Sequence, residues 1–168
     1  MSRPLLLCTM GLPRSGKSTW ARAFCGRHGV PLVSADAVRL AIHGQRYIDV
    51  AEPLVHATVG AMVRALFHGG HRTVLLDECL ISLRRREAWG SRANPLWQPA
   101  WVVFETSRVE CIRRAGPDSV IIPVIERMAA AREPINGLSE GPVFATILED
   151  GRELRETWAE DIDLGGMA

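Results

Sequence analysis

Nine residues near the start of the chain, Gly11-Leu-Pro-Arg14-Ser15-Gly16-Lys17-Ser18-Thr19, combine two glycines, a lysine and three hydroxyls at fixed spacing. They fit G-x-x-x-x-G-K-[ST] in full. The chemistry of that pattern is anion capture. Glycine lets the backbone turn several N–H groups toward one point, and a helix that begins at the lysine adds the positive end of its dipole. The lysine then reaches the β- and γ-phosphates, and the following hydroxyl can ligate Mg²⁺. The expected ligand is ATP·Mg²⁺, with Gly11, Arg14, Ser15, Gly16, Lys17, Ser18 and Thr19 around its phosphates and Ser18 on the metal.

Two more carboxylate-bearing segments fall where a phosphate chemistry needs them. Asp36 follows a short apolar run, Val30 to Ser34. A strand there places it at the carboxyl edge of the sheet, where open α/β sheets hold ligands. It can accept the proton of an attacking hydroxyl. Arg39 lies three residues on; spacing alone favours a first-turn ion pair. Val74-Leu75-Leu76-Asp77-Glu78 reads as strand, then acid pair. Asp77 is the second expected Mg²⁺ ligand. Glu78 leaves an ATPase open, because a glutamate after such a strand can orient water.

These residues need elements to hold them. Leu5 to Thr9 is a buried strand and Gly16 to His28 a helix closed by Gly29. Asp36 to His43 starts another helix. Apolar positions 51, 54, 55, 58, 59, 62, 63 and 66 form a 3.6-residue stripe. Thr73 to Leu76, Trp101 to Phe104 and Val143 to Leu148 are further strands, and helices are expected at Arg84 to Trp89, Arg108 to Arg114, Ile121 to Arg132 and Arg152 to Ala159. Alternation of this kind predicts an α/β fold with helices on both faces of a parallel sheet. One domain over residues 1–168 is expected, with 161–168 as a loose tail.

Composition narrows the partners. Lys plus Arg is 20 and Asp plus Glu is 19, a formal charge of +1. A bulk electrostatic binder of nucleic acid carries a larger basic excess. The apolar fraction is 47%, ordinary for a globular core. Four cysteines without C-x-x-C spacing argue for free thiols in a reducing compartment, the cytoplasm. No apolar run suggests a membrane span.

Beyond its phosphate loop the chain resembles the P-loop kinases of the polynucleotide 5′-hydroxyl kinase and zeta-toxin group, over Leu5 to Asp150. "GLPRSGKSTWARAF", "VSADAVRLAI", "TVLLDECLISLRRREAW", "VECIRRAG", "IIPVIERMAAAREP" and "REPINGLSEG" follow the group's order. The resemblance implies a doubly wound sheet of five parallel strands, order 2-3-1-4-5, with a short lid. It implies Asp36 as the base and Arg39 as the group that holds the acceptor's phosphate. Arg113 and Arg114 become lid arginines, with Arg127 as a substitute. The group's Asp-x-Asn stands here as Asp77-Glu78-Cys79. The implied reaction moves the γ-phosphate of ATP to a hydroxyl: the 5′-hydroxyl of a polynucleotide or nucleotide, or else a small metabolite, sugar or antibiotic. Arg84, Arg85 and Arg86 are candidates for contact with a single-stranded nucleic acid end, and Trp89, Trp97 and Trp101 are expected in packing.

Overall fold

The structure is a computed structural model that describes residues 3–45, 49–90, 95–117, 120–135, 140–160 and 164. Strands β1 (Leu5–Met10), β2 (Leu32–Ser34), β3 (Thr73–Asp77), β4 (Gln98–Phe104) and β5 (Val143–Ile147) are parallel. A sixth, β6 (Glu153–Arg155), runs antiparallel to β5. The order is β2-β3-β1-β4-β5-β6. The first five follow the expected order; the sixth makes the sheet mixed.

Helices α1 (Lys17–His28), α2 (Ala35–His43), α3 (Glu52–His68), α4 (Leu83–Glu87), α5 (Arg108–Ala115), α6 (Ile121–Ala130) and α7 (Thr157–Glu160) cover it. All six residues of β1 and all five of β3 are buried. Buried on both faces, such strands read as continuous apolar runs. Their alternate residues serve opposite layers. Leu5, Leu7 and Leu75 join Ala21 and Phe24 of α1. Leu6, Cys8, Val74 and Leu76 join Val55, Val59 and Val63 of α3. Full burial of each valine contributes about 1.5–3 kcal/mol.

Residues Asp49–His68 are long and apolar enough to cross a membrane by length and composition, a span that the sequence reading did not find. Here the valine face of this helix packs on the sheet.

Two elements differ from expectation by more than two residues. β4 begins at Gln98, with Pro99 inside it. Gln98 N donates to Pro4 O on one side and Trp101 N to Pro142 O on the other. The nitrogen of Pro99 therefore faces the β5 side before β5 begins, and no ladder bond is lost. The helix expected over Arg152 to Ala159 is instead β6 followed by α7. Asp150-Gly151 turns the chain, with Gly151 at φ 86° and its N–H donating to Leu148 O. Of the expected loose tail, Leu164 is buried against the α1 layer; residues 161–163 and 165–168 lie outside the described residues.

Candidate active site

The phosphate loop leaves β1 and enters α1 as its motif requires. Gly11 is tightly enclosed. A Cβ there would lie 2.8 Å from Phe104 Cβ and 3.0 Å from Ser15 Oγ, so no side chain fits. Its N–H donates to Cys79 O at 3.0 Å, tying the loop to the end of β3. Gly16 caps α1 at φ 103°, a conformation glycine adopts without strain. Arg14, exposed, holds φ 66°.

Lys17 is buried, and Nζ donates to Leu12 O at 2.6 Å and lies 3.4 Å from Ser15 Oγ. Both are uncharged oxygens. Ser18 is half-buried and Thr19 exposed in the first turn of α1.

The end of β3 is clamped from β1. Thr9 Oγ1 donates to Glu78 O at 2.8 Å and accepts from Glu78 N at 3.1 Å. Asp77 is buried, with Oδ1 3.3 Å from the same hydroxyl. Cys79 feels both Lys17 and Asp36. Burial pushes its thiol up, and the Lys17 ammonium opposes that. Leu80 carries φ 41°, a positive value rare outside glycine.

Asp36 falls in the first turn of α2. The cap itself is Ser34, whose side chain accepts from Ala37 N. The Asp36 carboxylate is 63% exposed, and Oδ1 takes a 2.7 Å bond from Arg39 Nη1. Thus the first-turn ion pair allowed by spacing is present. The rest of the Arg39 guanidinium is spoken for by a residue that sequence reading missed. Glu52, at the start of α3, accepts from Nε at 2.8 Å and Nη2 at 2.7 Å. That hydrogen bond holds the Glu52 carboxyl below its ordinary range and raises Arg39. Glu52 is thirteen residues from Arg39, so no helical period pairs them. Its only signal is an acid in a helix's first turn, where the dipole favours it.

Glu78 is engaged likewise. Arg85 Nη1 donates to its Oε1 at 2.6 Å and lies 2.8 Å from His56 Nε2. Glu78 Oε2 is buried without a hydrogen-bond partner. Burial lowers His56, with Glu78 opposing.

The α5–α6 segment, expected as the lid, packs on the phosphate loop through Leu12, which clusters with Ile81, Cys111, Ala115 and Ile125. Its two arginines diverge. Arg114 Nη1 donates to Ser15 O at 3.2 Å and Nη2 to Glu149 O at 3.1 Å. Thr106 Oγ1 donates to the same Ser15 carbonyl at 3.0 Å. Arg113 is 72% exposed and bonds to Glu110. Glu110 also takes Arg114 Nε at 2.7 Å. Those bonds, from Arg113 first and Arg114 second, hold its carboxyl at about 2. Arg127 is exposed on α6. Positions 136–139 of the "REPINGLSEG" segment lie outside the described residues.

The arginine run has three fates. Arg84 is exposed, Arg85 is paired to Glu78, and Arg86 is buried. Arg86 bonds to the Glu140 carboxylate and to the carbonyls of Ile81 at 3.0 Å, Glu133 at 3.1 Å and Pro134 at 3.0 Å. It is a structural cross-link, contrary to the expectation of contact with a nucleic acid end. Its five fixed donors suit a cluster of carbonyls. Trp89, Trp97 and Trp101 are buried, and the two latter indoles donate to Trp89 O and Glu140 O.

Sheet order and phosphate loop define an α/β fold of the P-loop kinase type. The family model described as "AAA domain" matches residues 6–117, and the chain belongs to that family. Among solved structures, it is similar to a gluconokinase from Sinorhizobium meliloti 1021, at 17% identity and TM-score 0.61, covering 88% of this chain and 84% of that one. A putative kinase from Chloroflexus aurantiacus is matched at 19% identity and TM-score 0.61, over 97% of this chain and 94% of that one. A chain of the Pnkp1/Rnl/Hen1 RNA repair complex is matched at 23% identity and TM-score 0.61, over 79% of this chain. The match spans about half of that chain's length, 47%.

Proposed function

We propose that this protein is an ATP-dependent kinase that transfers the γ-phosphate to a hydroxyl acceptor, with Asp36 as the base. One observation carries the reading: Asp36, a 63% exposed carboxylate, stands in the first turn of α2 directly after β2, on the same carboxyl edge of the parallel sheet as the phosphate loop that follows β1. Lys17 and the N-terminus of α1 bind the β- and γ-phosphates. Arg114, anchored on the loop carbonyl of Ser15, is the lid cation best placed to offset charge on the transferring group. Asp36 takes the acceptor's proton as its oxygen attacks phosphorus, and ADP leaves.

The Ser18 hydroxyl and the Asp77 carboxylate fit Mg²⁺, which commonly takes one or two protein oxygens and completes its shell with phosphate and water. Held by Ser18 and Asp77, the ion would supply positive charge to offset that of the phosphates. The four free thiols support a reducing compartment, the cytoplasm.

The acceptor we favour is a small hydroxylated molecule rather than a polynucleotide end. Of the arginines considered for backbone contact, Arg86 is buried, and Arg39 and Arg85 are paired to carboxylates. The ATPase reading loses ground because Glu78 is 6% exposed and tied to Arg85.

The test is labelled-ATP transfer to sugars, nucleosides, aminoglycosides and 5′-hydroxyl oligonucleotides. Asp36→Asn should lower transfer about 10²–10⁴-fold, the range for loss of a general base, with ATP affinity unchanged. Water-activating chemistry replaces this reading should Glu78→Gln abolish turnover while Asp36→Asn keeps it.

A further inference from the structure

We infer that Glu52 turns Arg39 into the holder of Asp36 instead of a clamp for a phosphate on the acceptor, so the acceptor hydroxyl has no anionic group beside it. This rests on the kinase reading above and narrows its substrate class to uncharged hydroxyl compounds.

The guanidinium geometry is the first argument. A guanidinium binds a phosphate best through a fork of two parallel N–H groups. In Arg39 the Nε–Nη2 fork is filled by both oxygens of Glu52, at 2.8 and 2.7 Å. The remaining Nη1 is directed at Asp36 Oδ1, at 2.7 Å. A phosphate would have to displace a carboxylate that is itself only 10% exposed, and would strand that charge in a buried place.

Charge is the second argument. In the ion-paired cluster at this corner, Asp36, Glu52 and Glu78 carry three negative charges and Arg39 and Arg85 two positive ones; burial lowers His56, which lies beside Glu52 and Glu78, and Lys17 and Asp77 at the phosphate loop add one charge of each sign. Arg85 cannot release its charge to a ligand freely, because its Nη1 holds Glu78 at 2.6 Å and its Nη2 lies 3.9 Å from Glu52. This described cluster is therefore net negative and repels a second anion near Asp36. An uncharged hydroxyl meets no such penalty. Meanwhile the Glu52–Arg39–Asp36 chain fixes one oxygen of Asp36 and leaves the other for the incoming O–H.

Binding tests this without requiring turnover. The 168-residue chain, saturated with a non-hydrolysable ATP analogue and Mg²⁺, is titrated calorimetrically with adenosine and with adenosine 3′-monophosphate. The wild type should show no preference for the phosphorylated compound beyond about twofold. Glu52→Gln removes the competing charge and opens the fork. It should bind adenosine 3′-monophosphate at least tenfold more tightly than the wild type does, and the gain should vanish in Glu52→Gln/Arg39→Ala. A purely structural role for Glu52 would produce no such gain. The inference is overturned if the wild type prefers adenosine 3′-monophosphate tenfold and Arg39→Ala abolishes the preference. It is equally overturned if folded Glu52→Gln, still binding the ATP analogue, gains no affinity. Should Glu52→Gln not fold, the wild-type and Arg39→Ala titrations decide alone. Failure of the kinase reading would show instead as absent transfer, which these titrations do not measure.

Discussion

At the phosphate loop and at the β2–α2 corner, buried cations stand on the same carboxyl edge of the sheet, yet their surroundings differ in kind. Lys17 is satisfied by a carbonyl and lies near a hydroxyl. Its charge is solvated by dipoles but not cancelled. Arg39 is bonded to two carboxylates, and Arg85, reaching in from α4 and 40% exposed, to one. Their charges are cancelled where they stand. The first arrangement attracts a polyanion; the second shapes and orients a carboxylate. Burial alone does not make a cation a ligand site. What matters is whether its hydrogen bonds go to neutral or to charged acceptors, since an ion pair in a partly desolvated place is far harder to open.

The contrast can be broken most severely at Lys17. Lys17→Ala should reduce phosphoryl transfer to background and weaken ATP binding, measured by labelled transfer and calorimetry. Near-normal turnover in that variant would remove the phosphate loop from the chemistry.

Arg86 tests the opposite extreme, a cation with no ligand role. Arg86→Ala removes the buried donor that the Glu140 carboxylate and several carbonyls share. A loss of about 3–5 kcal/mol is expected, the usual cost of breaking a buried pair. Chemical denaturation measures it. Arg84→Ala, at an exposed position, should stay within about 0.5 kcal/mol. Equal effects in the two variants would contradict the division of the arginine run.

The lid offers a smaller contrast between adjacent residues. Arg114→Ala should lower kcat about 10–100-fold, because a group directed at the loop is lost from the transition state. Arg113→Ala should change kcat less than about twofold, since its side chain points to solvent. A reversal would assign the lid role to Arg113.

The smallest effect is electrostatic. Glu110 is held at about 2 by Arg113 and Arg114, against about 4.3 in an unfolded chain. A depressed carboxyl contributes stability that is present above pH ~4.3 and is lost as pH falls through about 2. Carbon-13 titration of the Glu110 carboxyl should therefore give a midpoint near 2 in the folded protein. A midpoint near 4 would mean that the Glu110–arginine contacts do not persist in solution, and with them the placement of Arg114.

Local order along the chain was enough for much of this. The phosphate loop is contiguous, so its chemistry and its strand–loop–helix setting are visible in nine residues. The parallel strands are continuous apolar runs because both faces are buried, and five of them stand in the expected order. Where reading failed, the cause was local as well. Pro99 hid the start of β4, although its nitrogen faces a side where no partner strand has begun. Asp150-Gly151 is a hairpin signal, but the residues after it also carry a helical pattern.

Charge compensation, by contrast, was settled only by tertiary structure. The pairings Arg39–Glu52, Arg85–Glu78 and Arg86–Glu140 span 13, 7 and 54 residues. None follows a helical or strand period, except that the seven-residue pair bridges the end of β3 and α4. In sequence, Arg84, Arg85 and Arg86 are three equal charges, and Arg39 is an arginine with a free fork. Folding sends one to solvent, one to Glu78 and one to the interior, and closes the fork of Arg39 on Glu52. The reason is physical. Motifs encode positions along one element, whereas the state of a charge depends on what other elements bring within about 3 Å of it, where hydrogen bonds form.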